Sequence, residues 1–297
     1  MIPICLFTYN RLELTMQTVD ALRKNYLASQ SDLFIFSDGA KCFESEQKVK
    51  QVRSFLKGID GFKSVQIIES PTNKGLANSI ISGVSQVVTQ FGKVIVLEDD
   101  LVTTPNFLSY MNHALDFYEN NKKIISVCGY GLKIKKPQSY NSDVYLYGRS
   151  SSWGWGTWED QWATVDWEVK DWLVFKKDKK KISDFKKNGS DMYNLLKSVM
   201  EGKGNSWAIR FCYSQFKQQK YSVIPFYSLV ENIGFTKEGT NTKFKFSRFK
   251  IDLDNGEKKI FILDDYLVEN EEIRKMCYKY NNLIIRVYSR VRYMFEF

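Results

Sequence analysis

The chain is poor in the residues that build stapled or metal-centred proteins. Among 297 residues there is one histidine, His113, and there are five cysteines, Cys5, Cys42, Cys128, Cys212 and Cys277, no two of them in a C-x-x-C pair. That shortage implies no zinc site, and an odd, scattered set of cysteines reads as reduced thiols in a cytosolic setting. His113 lies within a helical pattern and reads as a partly exposed helix residue rather than a ligand. No apolar run reaches membrane-spanning length. No basic-then-apolar leader precedes the strand-like Ile2-Pro3-Ile4-Cys5-Leu6-Phe7. The expectation is a protein that is neither exported by a signal peptide nor embedded in a membrane. Internal repeats and low-complexity linkers are absent too. Negative charge is the scarcer sign: 43 Lys and Arg against 34 Asp and Glu leave a net charge of +9. Such a balance favours anionic partners, whether nucleic acid, an acidic membrane surface or a phosphorylated small molecule.

What is present is ordinary for a soluble globular chain, 43% hydrophobic and 26% charged, and long enough for one large α/β domain or two small ones. Its first part alternates strand and helix patterns, the signature of a parallel sheet with crossover helices. Strands are expected at Pro3–Phe7, Leu33–Phe36, Val65–Ile68 and Val94–Leu97, with a further apolar run at Ile124–Val127. Leu12, Met16, Val19, Leu22 and Tyr26 recur at helical spacing, and Glu44–Leu56, Leu76–Phe91 and Pro105–Tyr118 read as helices. Each early strand ends in polar or glycine-containing sequence: Thr8-Tyr9-Asn10-Arg11, Ser37-Asp38-Gly39, Asn73-Lys74-Gly75 and Glu98-Asp99-Asp100. Ends of parallel strands on one edge form a site.

The acidic triplet is the sharpest of these signals. Val94-Ile95-Val96-Leu97 has no alternation and suits an interior strand covered on both faces. Three adjacent acids would raise one another's pKa unless a cation sits among them, and a hard divalent ion with oxygen ligands is the usual answer. From about Asp143 the chain becomes aromatic, with Trp153-Gly154-Trp155-Gly156-Thr157-Trp158 and then Trp162, Trp167 and Trp172. Lys176–Lys187 reads as a solvated loop or helix face, Trp207–Gln218 as a helix and Val223–Pro225 as a strand.

Taken in order, TYNR, SDG, NKGLANSI, LEDD, SSWGWGTW and SWAIR…VENIGF resemble a nucleotide-sugar-dependent glycosyltransferase of the GT-A fold, most of all the bacterial surface-polysaccharide transferases related to N-acetylglucosaminyltransferase I. The resemblance spans about residues 2–240. It implies a Rossmann-like α/β/α sandwich with a mostly parallel central sheet, a donor half over about residues 1–142, an acceptor half over about 143–242 and a basic C-terminal extension over about 243–297. It implies inverting, metal-dependent transfer from a nucleoside-diphosphate sugar, a UDP-sugar first, to a lipid-linked or oligosaccharide acceptor in bacterial surface-glycan synthesis. No nucleic acid is implied, and the place of action is cytoplasmic, at the inner face of the membrane if the tail binds there.

The resemblance also distributes roles. Asp38 would accept a hydrogen bond from a base N–H, while Thr8, Tyr9 and Arg11 frame base and phosphate. Lys74 would face an anionic donor, Glu98 and Asp99 would face ribose or the donor sugar, and Asp100 would hold Mn²⁺ or Mg²⁺ against the diphosphate. Trp153, Gly154 and Trp155 would form a wall for the sugars, because flat indoles stack on C–H faces and glycine allows close approach. Trp158 and Trp162 would pack inward. Related enzymes carry the catalytic acid just before the Trp of Ser206-Trp207-Ala208-Ile209-Arg210; here Asn205 and Ser206 stand there, so either another acid such as Asp160 or Glu159 serves or activity is lost. Relatives also carry a histidine where this chain has Gly239-Thr240-Asn241. Two rivals remain: a sugar-nucleotide-forming nucleotidyltransferase, whose Gly-rich first loop is missing here, and a catalytically silent carbohydrate- or nucleotide-sugar-binding protein. Finally, Arg274, Lys275, Lys279, Arg286, Arg290 and Arg292 alternate with Tyr280, Leu283, Ile284, Val287, Tyr288, Val291, Met294 and Phe295 at helical spacing. This amphipathic segment either docks on an anionic membrane or packs on the domain.

Overall fold

The computed structural model describes residues 1–138, 140–234, 251 and 253–288. Strand and helix alternate at first: β1 (Ile4–Thr8), α1 (Leu12–Arg23), β2 (Asp32–Ser37), α2 (Phe43–Leu56), β3 (Ser64–Glu69), α3 (Leu76–Phe91) and β4 (Lys93–Glu98). There follow β5 (Leu101–Thr103), α4 (Phe107–Phe117), β6 (Ile124–Cys128), β7 (Val144–Tyr147) and β8 (Trp155–Trp158). The helices α5 (Glu159–Trp162), α6 (Trp172–Phe175), α7 (Lys179–Lys186), α8 (Met192–Met200) and α9 (Trp207–Lys217) precede β9 (Tyr221–Pro225), β10 (Val230–Asn232) and α10 (Glu271–Asn281).

Eight strands form one sheet in the order β3-β2-β1-β4-β8-β6-β9-β7. Six of them run the same way; β8 and β7 run against their neighbours. The chain builds outward from β1 to β3, then returns to set β4 on the other side of β1. The gap between the ends of β1 and β4 is therefore the switch point at which open α/β sheets bind ligands. On one face α1, α2 and α4 bury Val19, Leu22, Val52, Leu56 and Met111 against Ile4, Leu6, Ile95 and Leu97. On the other, α3, α9 and α10 bury Ile80, Val84, Val87, Trp207, Phe211, Ile273 and Cys277 against Cys5, Val94, Val96 and Trp155. The run Val94 to Leu97 alternates between these two layers, which is why it carries no polar residue. Each such side chain taken fully out of water contributes about 2 kcal/mol. The architecture is the expected α/β/α sandwich with a mostly parallel sheet.

Three local expectations need correction or completion. Trp155-Gly156-Thr157-Trp158 is the central strand β8, with Gly156 paired between Ile95 and Val127; a side chain at Gly156 would press on Leu115 and the Val94 carbonyl. Trp158 and Trp162 do pack inward, but on opposite faces of the sheet. The Lys-rich stretch is the helix α7, capped by Asp178 and anchored by buried Phe185 in a third apolar cluster with Trp172, Phe175, Leu196 and Tyr213. Gly239-Thr240-Asn241, Lys243–Lys250 and residues 289–297, with Arg290, Val291, Arg292, Met294 and Phe295, lie outside the described residues.

Candidate functional site

The acidic triplet is the turn between β4 and β5, pinned from three directions. Leu101 N–H donates to Thr18 Oγ1 of α1 at 3.1 Å, Ile233 N–H donates to the Asp100 carbonyl at 2.9 Å, and β10 pairs antiparallel with β5. That pairing brings Asn232 to Asp100, with Nδ2 at 3.3 Å from Oδ1, and lays Gly234 directly against the Asp100 carboxylate, where a side chain would collide. Across the switch point, Tyr9 N–H donates to Asp99 Oδ2 at 3.3 Å, and the Tyr9 hydroxyl accepts from Lys41 N–H at 3.1 Å. The Thr8 Oγ1, at the tip of β1, is buried without a hydrogen-bond partner. A buried orphan hydroxyl needs an explanation, and beside a ligand edge a ligand supplies one.

The cation among these acids is Arg11. Its guanidinium pairs with Asp99 and, at 3.0 Å, with Asp100. Burial opposes its charge, but the two carboxylates outweigh burial and raise its pKa. Arg11 also precedes the first turn of α1, where the helix dipole disfavours a cation, so it is the acids that hold it there. One guanidinium does not neutralise three carboxyls. Burial pushes Glu98 up to about 8, with Asp100 and Asp99 adding to it and Arg11 opposing. Asp99 is pushed up to about 6, again by burial first, with Arg11 pulling down and Asp100 pushing up. The enclosure is thus short of positive charge, and a divalent cation fits that deficit. Among the described residues no group of three or more His, Cys, Asp and Glu is arranged to hold a metal. The chain would offer a single carboxylate, Asp100, leaving phosphate oxygens and water to complete the shell.

Asp38 is placed at this edge but is not free to read a base. Its Oδ1 accepts from Gly39 N–H at 2.9 Å and Lys74 N–H at 2.8 Å, and its Oδ2 from Gly75 N–H at 3.0 Å and Asn73 Nδ2 at 3.1 Å. Four donors fill the roughly four acceptor positions of a carboxylate. Asp38 is a staple between the loops after β2 and β3, and Gly39 is required because a side chain there would strike the Thr72 backbone. Lys74 contributes its backbone to that staple and keeps its side chain exposed.

The sugar-wall residues separate. Trp155 is 1% exposed, stacked on Trp207 at 4.9 Å and tilted against Trp162, so its faces are covered by the core. Only its Nε1, buried without a partner, is left to meet a ligand. Gly154 has φ +61° and approaches Val230 and Phe107 rather than open space, and its carbonyl accepts from Gly129 N–H at 2.6 Å. Trp153 alone faces a cavity of about 250 Å³, which Tyr130, Arg149, Ser150, Ser151, Ser152, Ser206 and Ile209 also line. This cavity lies beyond the ends of β6 and β9, on the same sheet edge as the acids. Arg149 is held by a bidentate pair to buried Asp191, at 2.8 and 3.0 Å. Arg149 and Tyr130 line the cavity, Asp191 holds Arg149 and Asn232 meets Asp100, and no strand end or glycine pattern announces them; only VENIGF, which contains Asn232, carried a signal.

The two substitute bases are in the wrong place. β8 runs antiparallel to β4, with Trp158 opposite Lys93, so Glu159 and Asp160 emerge at the far edge of the sheet. Seven residues of extended chain separate Lys93 from Asp100, a span of roughly 20 Å. Asp160 instead pairs with Lys122 at 2.6 Å, and Glu159 N–H donates to the Gly92 carbonyl. Ser206 is on the correct edge, where its Oγ caps α9 by accepting from Ile209 N–H; the Asn205 Oδ1 accepts from Arg210 at 2.9 Å. Among the described residues that line the cavity none is acidic.

With this geometry in hand, the class is that of a GT-A nucleotide-sugar enzyme. The sequence profile of glycosyl transferase family 2 matches residues 4–164, more than half of the chain. The protein belongs to that family, which favours the glycosyltransferase reading over the nucleotidyltransferase one. A comparison with curated proteins finds no match. Solved structures that it resembles include a Pyrobaculum calidifontis mannosyltransferase in complex with GDP-Man and Mn²⁺, at 12% identity and TM-score 0.40 over 54% of this chain and 44% of that one. Residues 1–349 of TarS from S. aureus align at 9% identity and TM-score 0.44, over 78% of this chain and 61% of that one. A UDP-glucose pyrophosphorylase complexed with UDP-glucose aligns at 12% identity and TM-score 0.39, over 76% and 90%. The chain thus spans less than half of the mannosyltransferase's length, and at these scores the likenesses carry no argument about activity.

Proposed function

We propose that this chain acts as one catalytic unit that moves a sugar from a nucleoside-diphosphate donor, a UDP-sugar first, to a lipid-linked or oligosaccharide acceptor in bacterial surface-glycan assembly, with inversion. The observation that carries the reading is the switch-point crevice, where the orphan Thr8 hydroxyl, Tyr9, Arg11 and the under-neutralised Asp99-Asp100 pair converge between β1 and β4. Thr8, Tyr9 and the Lys41 loop frame the nucleoside, with Asp38 and Lys74 setting the loop's shape rather than touching the base. Arg11 and Asp100 face the diphosphate, and Glu98 and Asp99 the ribose or donor sugar. Bound at Asp100, Mn²⁺ or Mg²⁺ would neutralise charge that develops on the leaving nucleoside diphosphate. Trp153 lines the cavity with an aromatic ring suited to a sugar, and the hydroxyls of Ser150, Ser151, Ser152 and Ser206 lie in the same lining. The kinship to N-acetylglucosaminyltransferase I belongs to this reading as well. Product formation screened over a panel of nucleotide sugars with Mn²⁺ tests it; no transfer and no donor hydrolysis from any of them would favour the silent binding protein instead.

A further inference from the structure

The C-terminal segment changes character part-way along. Its first portion, α10, packs: Ile273 and Cys277 are fully buried and Asn281 is 4% exposed, and Cys277 meets Tyr145 of β7 on the sheet face that α3 and α9 also cover. The chain then continues as helix over residues 283–288, and here the apolar side chains face outward. Leu283 is 63% exposed, Ile284 77%, Val287 49% and Tyr288 57%. With Ile285 these make five exposed large apolar groups within six residues of one helical stretch, more than a scattered surface hydrophobe.

Two further observations say what covers them. From Arg274 to Phe295 the sequence carries six basic residues and no acid, so the apolar face lies on the cationic part of an already basic chain. The segment is also tied to the cavity: Asn281 lines it, the Asn281 carbonyl accepts from Ser190 N–H at 3.1 Å and Ser190 Oγ at 2.7 Å, and Arg286 donates to that same Ser190 Oγ at 3.2 Å. Leu195, 43% exposed, lines the cavity on the α8 side. A convex apolar helix with cationic flanks suits insertion into a leaflet with acidic headgroups, where charge attracts and the apolar side chains enter the headgroup–acyl boundary.

We propose that residues 283–288 seat this protein on an anionic lipid surface, holding the cavity beside that surface. Given the glycosyltransferase reading of the cavity, on which this consequence rests, the placement selects the lipid-linked acceptor over a free oligosaccharide. Co-sedimentation with vesicles of phosphatidylcholine alone, and of phosphatidylcholine with phosphatidylglycerol, tests it on the full chain and on the double variant Ile284→Glu, Val287→Glu. Both positions are exposed, so the fold should survive, and an unchanged melting temperature checks that. The full chain is expected to pellet with the anionic vesicles only, to be released by salt, and to lose at least about tenfold of that binding in the variant. Equal pelleting of the two proteins, or none of the full chain at low salt, would overturn the proposal. UDP binding in the presence of Mn²⁺, measured on the same two preparations, keeps the outcomes separate: its absence from both counts against the donor site and leaves the vesicle result to stand by itself.

Discussion

Arg11 shows how much one side chain settles at the residue scale. It bridges Asp99 and Asp100, so two adjacent acids can be enclosed without a bound metal, yet Glu98 remains beyond its reach and is pushed up to about 8. A carboxyl whose folded pKa is raised holds a proton that the unfolded chain has already lost. The stability it contributes is present at low pH and is lost as pH rises through the folded value. Metal-free protein should therefore lose stability between about pH 5 and the Glu98 value, with Asp99 adding to the loss near its own value of about 6. Glu98→Gln is expected to flatten that slope and to raise the melting temperature at pH 8 by a few degrees, on the scale of about 2–4 °C per kcal/mol. Thermal melts in chelator at pH 6 and pH 8 read this directly. A variant with the same pH slope as the parent would show that Glu98 ionises normally.

At the scale of elements, the direction of β8 decides which acids can act. Because β8 returns antiparallel beside β4, Glu159 and Asp160, which follow it directly, are delivered to the far edge. Asp160→Asn is expected to leave turnover within about twofold of the parent in a donor-dependent assay, where loss of a general base would cost about 10²-fold or more. The N-terminus of α9 is the more telling place. Asp caps a helix about as well as Ser, so Ser206→Asp should keep α9 intact while setting a carboxylate into a cavity that has none among its described lining residues. We expect turnover to rise by about tenfold or more; an unchanged rate would show that the transfer draws its base from elsewhere.

These elements also show what the sequence could and could not reveal. The strands β1, β2 and β4 were legible because buried parallel strands leave apolar runs, the edge strand β3 by its β-branched Val65, Ile67 and Ile68, and the helices between them by a repeat near 3.6 residues. Asp99 and Asp100 were legible as a strand end for the same reason. β8 was not, since a strand made of Trp, Gly and Thr has no apolar run, and Gly156 within it and Gly154 before it serve contacts with Leu115, Val94, Val230 and Phe107 that come from distant parts of the chain. Asp38 was correctly placed at the ligand edge but misjudged in role: its four donors come from its own neighbour and from residues 35 to 37 positions later. Arg149 and Asp191 meet across 42 positions, a pairing no local pattern encodes.

At the scale of the whole molecule, the net charge of +9 and the placement of acids complement each other. A basic chain concentrates three carboxyls in one turn at the sheet's switch point. Among the described residues no helix is long and apolar enough to cross a membrane, so contact with a lipid surface would fall to the outward apolar face at residues 283–288. Family membership points to the class of reaction; the crevice between β1 and β4 is the claim on which the rest depends. Calorimetric titration of UDP, with and without Mn²⁺, into the parent chain and into Asp100→Ala tests it most directly. The account predicts binding that requires the metal and weakens at least about tenfold in the variant, a loss of 1.4 kcal/mol or more, with the fold intact as judged by melting. Metal-independent binding, or equal affinity in the two proteins, would contradict the assignment of Asp100 and of the crevice around it.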